Sequence, residues 1–322
     1  MKKIFVRIAA ISVAAIFIFA RCGSNSETQG NAPRSFPMVN PPAMMGQGLP
    51  AAIYVAKNYW NPFIDSSKVF SQDTAYIGGV SREQFVNAYR QYAQIVCSIP
   101  LAEGIKAQGS FVSKLIALER SNPSNTVFET AVKFAEEVFY GVNSDFRNEE
   151  LYLPIASALA EFEMIDPATR GRYAAEVKNC SKNRIGAPAA DFRYTTNTGK
   201  HSTLYRTKGE FTLIFFSNPG CTACKEIIEE LGRSLRVQKL LSEKRLSVIN
   251  IYIDEDLTEW YRYMPIYPKE WINCYNEDLQ IRGEEVYDVR AIPSLYLLDS
   301  EKRVILKDAP PHILINILDS LD

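Results

Sequence analysis

Phe215-Phe216-Ser217-Asn218-Pro219-Gly220-Cys221-Thr222-Ala223-Cys224-Lys225 changes character twice within one short segment. The apolar, aromatic run from Phe211 to Ser217 reads as a buried strand. Pro219-Gly220 is a turn signal. Cys-x-x-Cys then opens a helix, and the amphipathic pattern from Lys225 to Leu241 continues it. Residues three apart lie on one helix face, so the two sulfurs can meet with little backbone movement. Cys221 falls at the helix N-terminus, among unpaired N–H groups and the positive end of the helix dipole. Both favour the thiolate, which is the nucleophile. Cys224 sits one turn further in and would be the resolving thiol of a redox pair.

The surrounding pattern extends this unit. Leu246 to Ile253 is a second strand, Leu295 to Leu298 a third, and Arg303 to Lys307 pairs with the third across a turn at Asp299-Ser300. A last helix runs from about His312 to Leu321. This order predicts an α/β domain with a mixed central sheet flanked by helices over residues 184–322. A Cys-x-x-Cys pair is also compatible with a structural disulfide or with zinc. Zinc needs further ligands close by, and the only histidines are His201 and His312, so no metal site is expected. No glycine-rich phosphate loop appears and no cofactor is expected.

Export bears on the same choice. Lys2 and Lys3 precede an apolar run from Ile4 to Ala20, the layout of a signal peptide over residues 1–22. Cys22 follows at once, with Gly23 and Ser24 after it, a pattern that resembles a bacterial lipobox with Cys22 as the acylated residue. Arg21 departs from that pattern, and an ordinary cleaved signal or an uncleaved anchor stays open. No later apolar run reaches the roughly 20 residues that span a bilayer. The Ser-, Asn-, Gly- and Pro-rich residues 23–50 read as a flexible tether. The expected location is a periplasm-facing cell envelope, with the outer membrane preferred because no Asp follows Cys22. Disulfides persist there, and context therefore favours redox chemistry for the pair. Of the six cysteines, Cys97, Cys180 and Cys274 remain as an odd set. They are expected as buried thiols, a Cys97–Cys180 bond being the next reading. The formal net charge of −1 argues against nucleic acid as a partner.

Residues 51–183 carry helical patterns throughout. Ser81-Arg82-Glu83-Gln84 and Thr126-Val127-Phe128-Glu129 are capping boxes. Further helices are expected over Leu101–Leu118, Asn148–Phe162 and Pro167–Lys178, with no strand among them. Tyr54, Tyr59, Trp60 and Phe63 are expected in a helical core, and Asp254-Glu255-Asp256 at a helix start rather than on a metal.

Arg290-Ala291-Ile292-Pro293-Ser294-Leu295 places a proline just before a strand, about 70 residues after the Cys pair. With Cys221-Thr222-Ala223-Cys224 and the Gly186 to Phe192 lead-in, it resembles the TlpA/ResA-like branch of thioredoxin-fold proteins over roughly residues 185–322. The preceding helical region resembles a domain of unknown function found before such domains in Gram-negative lipoproteins. The resemblance implies a cis peptide at Pro293, with Ile292 and Pro293 positioning an extended substrate chain. A trans proline opening an edge strand is the alternative. It also implies a thiol–disulfide oxidoreductase that reduces protein or peptide disulfides and draws electrons from a donor protein. Three departures stand out. Pro219-Gly220 occupies the place where many relatives have Trp before the first Cys. Phe215 stands where thioredoxin has a buried Asp, and Ile227 where ResA-type proteins have a Glu. The competing reading is a partner-binding envelope lipoprotein that uses the fold as a scaffold.

Overall fold

The computed structural model describes residues 34–65, 75–284 and 286–321. The expected signal peptide and Cys22 lie outside the described residues. Two bodies of secondary structure follow one another along the chain.

The first is helical: α1 (Leu49–Asn58), α2 (Arg82–Ser98), α3 (Leu101–Ser121), α4 (Phe128–Ala135), α5 (Glu149–Glu161) and α6 (Pro167–Cys180). A π-helical turn, Glu136–Tyr140, extends α4. Side-chain caps start several of these helices. Ser81 accepts from the Gln84 N–H, Asn148 from Leu151, and Asp166 from Ala168 and Thr169. The second capping box is not built as expected. Asn125 accepts from the Val127 and Phe128 N–H groups, while the Thr126 hydroxyl accepts from Gly78 and donates to Tyr76. That bond ties α4 to a hairpin, β1 (Tyr76–Ile77) and β2 (Val80–Ser81), which the local pattern did not announce. Two paired residues per strand are too few to show a period.

Trp60 centres the helical core, stacked on Phe111 at 4.8 Å and flanked by Phe85, Tyr89 and Tyr92. Tyr59, Trp60 and Phe63 are buried as expected, and Tyr54 is half-buried. Within the segment read as a tether, 23–50, two described residues contact the helical body. Phe36 stacks on Phe63 at 5.0 Å, and Arg34 bonds the carbonyls of Gly78 and Phe63. Gln84, rather than closing the capping box, accepts from the Phe36 N–H.

The second body is a seven-stranded mixed sheet in the order β4-β3-β7-β6-β5-β8-β9. The strands are β3 (Arg193–Thr196), β4 (His201–Thr203), β5 (Phe211–Phe216), β6 (Leu246–Tyr252), β7 (Ile272–Tyr275), β8 (Ser294–Leu298) and β9 (Val304–Lys307). β5 is buried along its whole length, parallel to β6 and antiparallel to β8. The expected strands are present, and β3, β4 and β7 add three more. β7 carries Cys274, which is fully buried in the core, as expected. The helix expected over 225–241 is two helices, α7 (Thr222–Arg233) and α8 (Leu235–Ser242). Ser234 ends the first and caps the second by accepting from Val237. Also present are α9 (Leu257–Tyr263), α10 (Gln280–Gly283) and α11 (Pro311–Ser320).

The two faces of the sheet bury different sets. Phe215, Leu295, Leu297 and Leu306 pack with α7, α8 and α11, and Ile214, Phe216, Tyr296 and Leu298 face the other way. The helical body meets the sheet at its β8–β9 edge. There Lys307 Nζ lies 2.6 Å from Glu149 Oε2, both side chains nearly inaccessible, and donates to the carbonyl of Cys180. Arg147 donates to the carbonyls of Asp308 and Ala309.

Candidate functional site

β5 delivers the chain to the site. Its last hydrogen bond runs from the Ser217 N–H to Ile251, after which Asn218-Pro219-Gly220-Cys221 reverses direction. The Cys221 N–H donates to the Asn218 carbonyl at 3.3 Å, and Gly220 has φ +75°. Proline followed by a positive-φ glycine is the pattern of a type II turn. The Asn218 side-chain amide donates to Asp254 Oδ2 at 2.8 Å, and Asp254 is in turn paired with Arg282. Asp254 therefore braces the turn, whereas Asp256 caps α9, so the acidic run serves two structural ends. The Ser217 hydroxyl continues a buried polar chain through Asn250 and Asn273 to the Pro268 carbonyl, crossing β5, β6 and β7.

Cys221 is the N-cap of α7. Its Sγ accepts from the Cys224 N–H at 3.0 Å, and its carbonyl accepts from Lys225. The two sulfurs are bonded to one another, with the Cα atoms 5.2 Å apart. Exposure differs between them: Cys221 is half-exposed and Cys224 is 2% exposed. An incoming group thus meets Cys221 first. The peptide bond between Ile292 and Pro293 is cis, as the resemblance implied. Ser294, the next residue, pairs with Phe216 at the end of β5. Ile292 and Cys221 are both half-buried against the same apolar cluster. Four residues singled out in the sequence, Cys221, Cys224, Ile292 and Pro293, therefore converge at one end of the sheet.

The departures have structural consequences. Phe215 and Ile227 are buried beside Cys224 in that cluster. Both positions where the resembled families carry an acid are apolar here. Glu226, Glu229 and Glu230 are exposed on α7. In place of a tryptophan ahead of the first Cys, Tyr263 approaches the turn, its hydroxyl 3.9 Å from where a side chain on residue 220 would begin.

Cys180 and Cys274 are buried free thiols, and burial pushes both well up from the ordinary thiol range. Cys97, in the last turn of α2, is free and exposed as a residue, against expectation, although partial burial of its thiol pushes that group up as well. Sequence reasoning passed over Arg290, Ser294 and Asp308, which meet behind the Pro293 segment. Ser294 Oγ donates to Asp308 Oδ1 at 2.7 Å, and Arg290 lies 3.3 Å from Asp308 Oδ2. The buried Asp308 carboxyl is pushed up to about 6, burial outweighing the pull of Arg147, Ser294 and Arg290. A basic residue three before Pro293 was the one local hint of this arrangement.

Residues 20–183, about half of the chain, match the family described as a domain of unknown function, DUF5106. A thioredoxin-like protein from Bacteroides caccae has a similar structure, with a TM-score of 0.77 and 32% identity, over 90% of this chain and 99% of that one. The C-terminal domain of an uncharacterized protein from Bacteroides fragilis is 45% identical over 43% of this chain and 99% of its own, with a TM-score of 0.42. No functionally curated protein matches the chain. With the helical region matched by a family and nearly the full length matched by a thioredoxin-like relative, the chain belongs to the DUF5106 family, its helical domain joined to a thioredoxin-like domain.

Proposed function

We propose that this protein is a thiol–disulfide oxidoreductase that reduces disulfides of exported proteins or peptides through Cys221 and Cys224. The observation that carries the reading is the asymmetry of the pair. A half-exposed Cys221 caps α7 and receives a backbone N–H, while its bonded partner Cys224 is buried behind it. That N–H and the helix dipole stabilise a thiolate at Cys221 once the pair is reduced.

The exchange then balances as follows. The Cys221 thiolate attacks one sulfur of the substrate disulfide, and the other substrate sulfur leaves as a thiolate that takes a proton from water. Cys224, deprotonated, attacks Cys221 Sγ, restores the Cys221–Cys224 bond and expels the second substrate thiolate. Two electrons pass from the pair to the substrate, and a donor dithiol protein re-reduces the pair. Ile292 and Pro293 flank the sulfurs and offer backbone to an extended substrate chain. With Phe215 and Ile227 apolar, the proton of Cys224 leaves to water or to substrate.

A Cys224→Ser protein should accumulate mixed disulfides through Cys221. If it traps none, and the wild-type protein reduces no insulin disulfide although both thiols titrate, the reading is wrong.

The reading extends to place. Lys2, Lys3, the apolar run and Cys22 support export as a lipid-anchored envelope protein of the TlpA/ResA-like type. Fatty-acid labelling that is lost in Cys22→Ala, with release from membranes, is expected. Labelling that persists in that variant refutes the anchor.

A further inference from the structure

We propose that the helical domain is a working part of the active site: it holds the Ala291-Ile292-Pro293 segment in place, with Arg290 and Asp308 as positioning residues. The proposal rests on the redox reading for its meaning, but its geometry stands separately.

Arg290 is 15% exposed at its side chain and spends its donors across the domain boundary. It bonds the Tyr140 carbonyl and Glu149 Oε1, and its guanidinium lies 3.8 Å from the centre of the Tyr140 ring. Both partners belong to the helical domain. On the sheet side it meets Asp308 Oδ2, and the other oxygen of that carboxyl accepts from Ser294. One carboxyl group therefore ties down both ends of the span from Arg290 to Ser294, with Ile292 and Pro293 between them. Asp308 is itself held from the helical side, since Arg147 donates to its carbonyl. Lys307, next along the chain, is paired with Glu149.

The helical domain thus supplies Tyr140, Arg147 and Glu149 to a cluster whose remaining members bracket the segment beside the cysteines. Ala291, Ile292 and Pro293 belong to no strand, and their position is fixed by neighbours rather than by a ladder. Substrate pairing needs that backbone held within about 0.5 Å. A buried ion cluster serving only to join two domains would also look like this, so the test must read substrate handling and not stability alone.

The test uses the full chain with Glu149→Gln, which keeps the size of the side chain but removes its charge and turns one of its two acceptor oxygens into a donor facing Arg290 or Lys307, and Tyr140→Leu, which removes the stacked ring and leaves every charge. Two readouts are taken: backbone hydrogen exchange, and steady-state reduction of a peptide with one intramolecular disulfide, with dithiothreitol as electron source. In both variants, exchange across 290–295 should quicken at least tenfold while β5 and α7 keep the wild-type rate. KM for the peptide should rise at least fivefold with kcat within twofold. Unchanged exchange in the segment, an unchanged KM, or loosening spread evenly over both domains would overturn the proposal. If the wild-type protein reduces no peptide disulfide, the redox reading fails on its own, and the exchange result decides whether the helical domain holds the segment.

Discussion

Replacing Asp308 with asparagine removes one buried titration and keeps the shape of the side chain. Asp308 is 7% exposed, and burial lifts its carboxyl from 3.8 to about 6. Arg147, at 3.9 Å, and Arg290, at 3.3 Å, pull in the other direction without cancelling the cost of burial. The folded protein therefore keeps this proton over a pH range in which the unfolded chain has released it. The stability that this group contributes is complete below about pH 4 and is lost as the pH rises to about 6. A difference of about two pH units, at 1.36 kcal/mol each, amounts to about 3 kcal/mol. Asparagine retains an oxygen to accept from Ser294 and does not titrate. Urea unfolding of both proteins, with Cys221–Cys224 oxidised and with emission followed from the buried Trp60, Trp260 and Trp271, measures the effect. Wild-type stability minus that of Asp308→Asn should fall by about 2 kcal/mol between pH 4 and pH 7, the rest of the change lying below pH 4. Carboxylates remote from this cluster titrate equally in both proteins and drop out of the difference. A flat difference, or one that rises with pH, would refute the reasoning, since it would mean that the two arginines keep Asp308 ionised throughout.

Two further outcomes follow from local geometry. A Cβ on residue 141 would clash with the Glu137 carbonyl oxygen, so Gly141→Ala must displace backbone at the end of the π-helical turn. Overpacking of this kind costs about 1–3 kcal/mol; a loss near 2 kcal/mol lowers the melting temperature by roughly 4–8 °C, and an unchanged melting curve would contradict the geometry. Cys180 and Cys274, both buried with thiols shifted upward, should resist maleimide in the folded protein and react only after unfolding. Mass spectrometry of native labelling checks this, and rapid modification of either would place it at the surface.

Much of the site was legible along the chain because its signals are local. The Pro219-Gly220 turn, the spacing of Cys221 and Cys224, and a proline before β8 are each set by a few neighbouring residues. The four long helices of the first domain and strands β5, β6, β8 and β9 follow from period and caps for the same reason. β3 and β7 did not announce themselves. Residues 193–196 read Arg-Tyr-Thr-Thr and 272–275 read Ile-Asn-Cys-Tyr, so neither is an apolar run. They are strands because each has a partner to bond, Thr195 opposite Tyr275 and Asn250 opposite Asn273.

The sequence by itself determined that a cysteine pair opens a helix after a buried strand, and that a helical region precedes it. Only the tertiary structure decided what surrounds the pair. Phe36 belongs to the helical core because Phe63 is there to receive it. Arg290 sits over Tyr140 and Lys307 against Glu149, each across more than a hundred residues of chain. Burial and ion pairing are properties of two residues at once. No local period encodes which distant partner a side chain will meet, and that choice is what joins the helical domain to the segment beside Cys221.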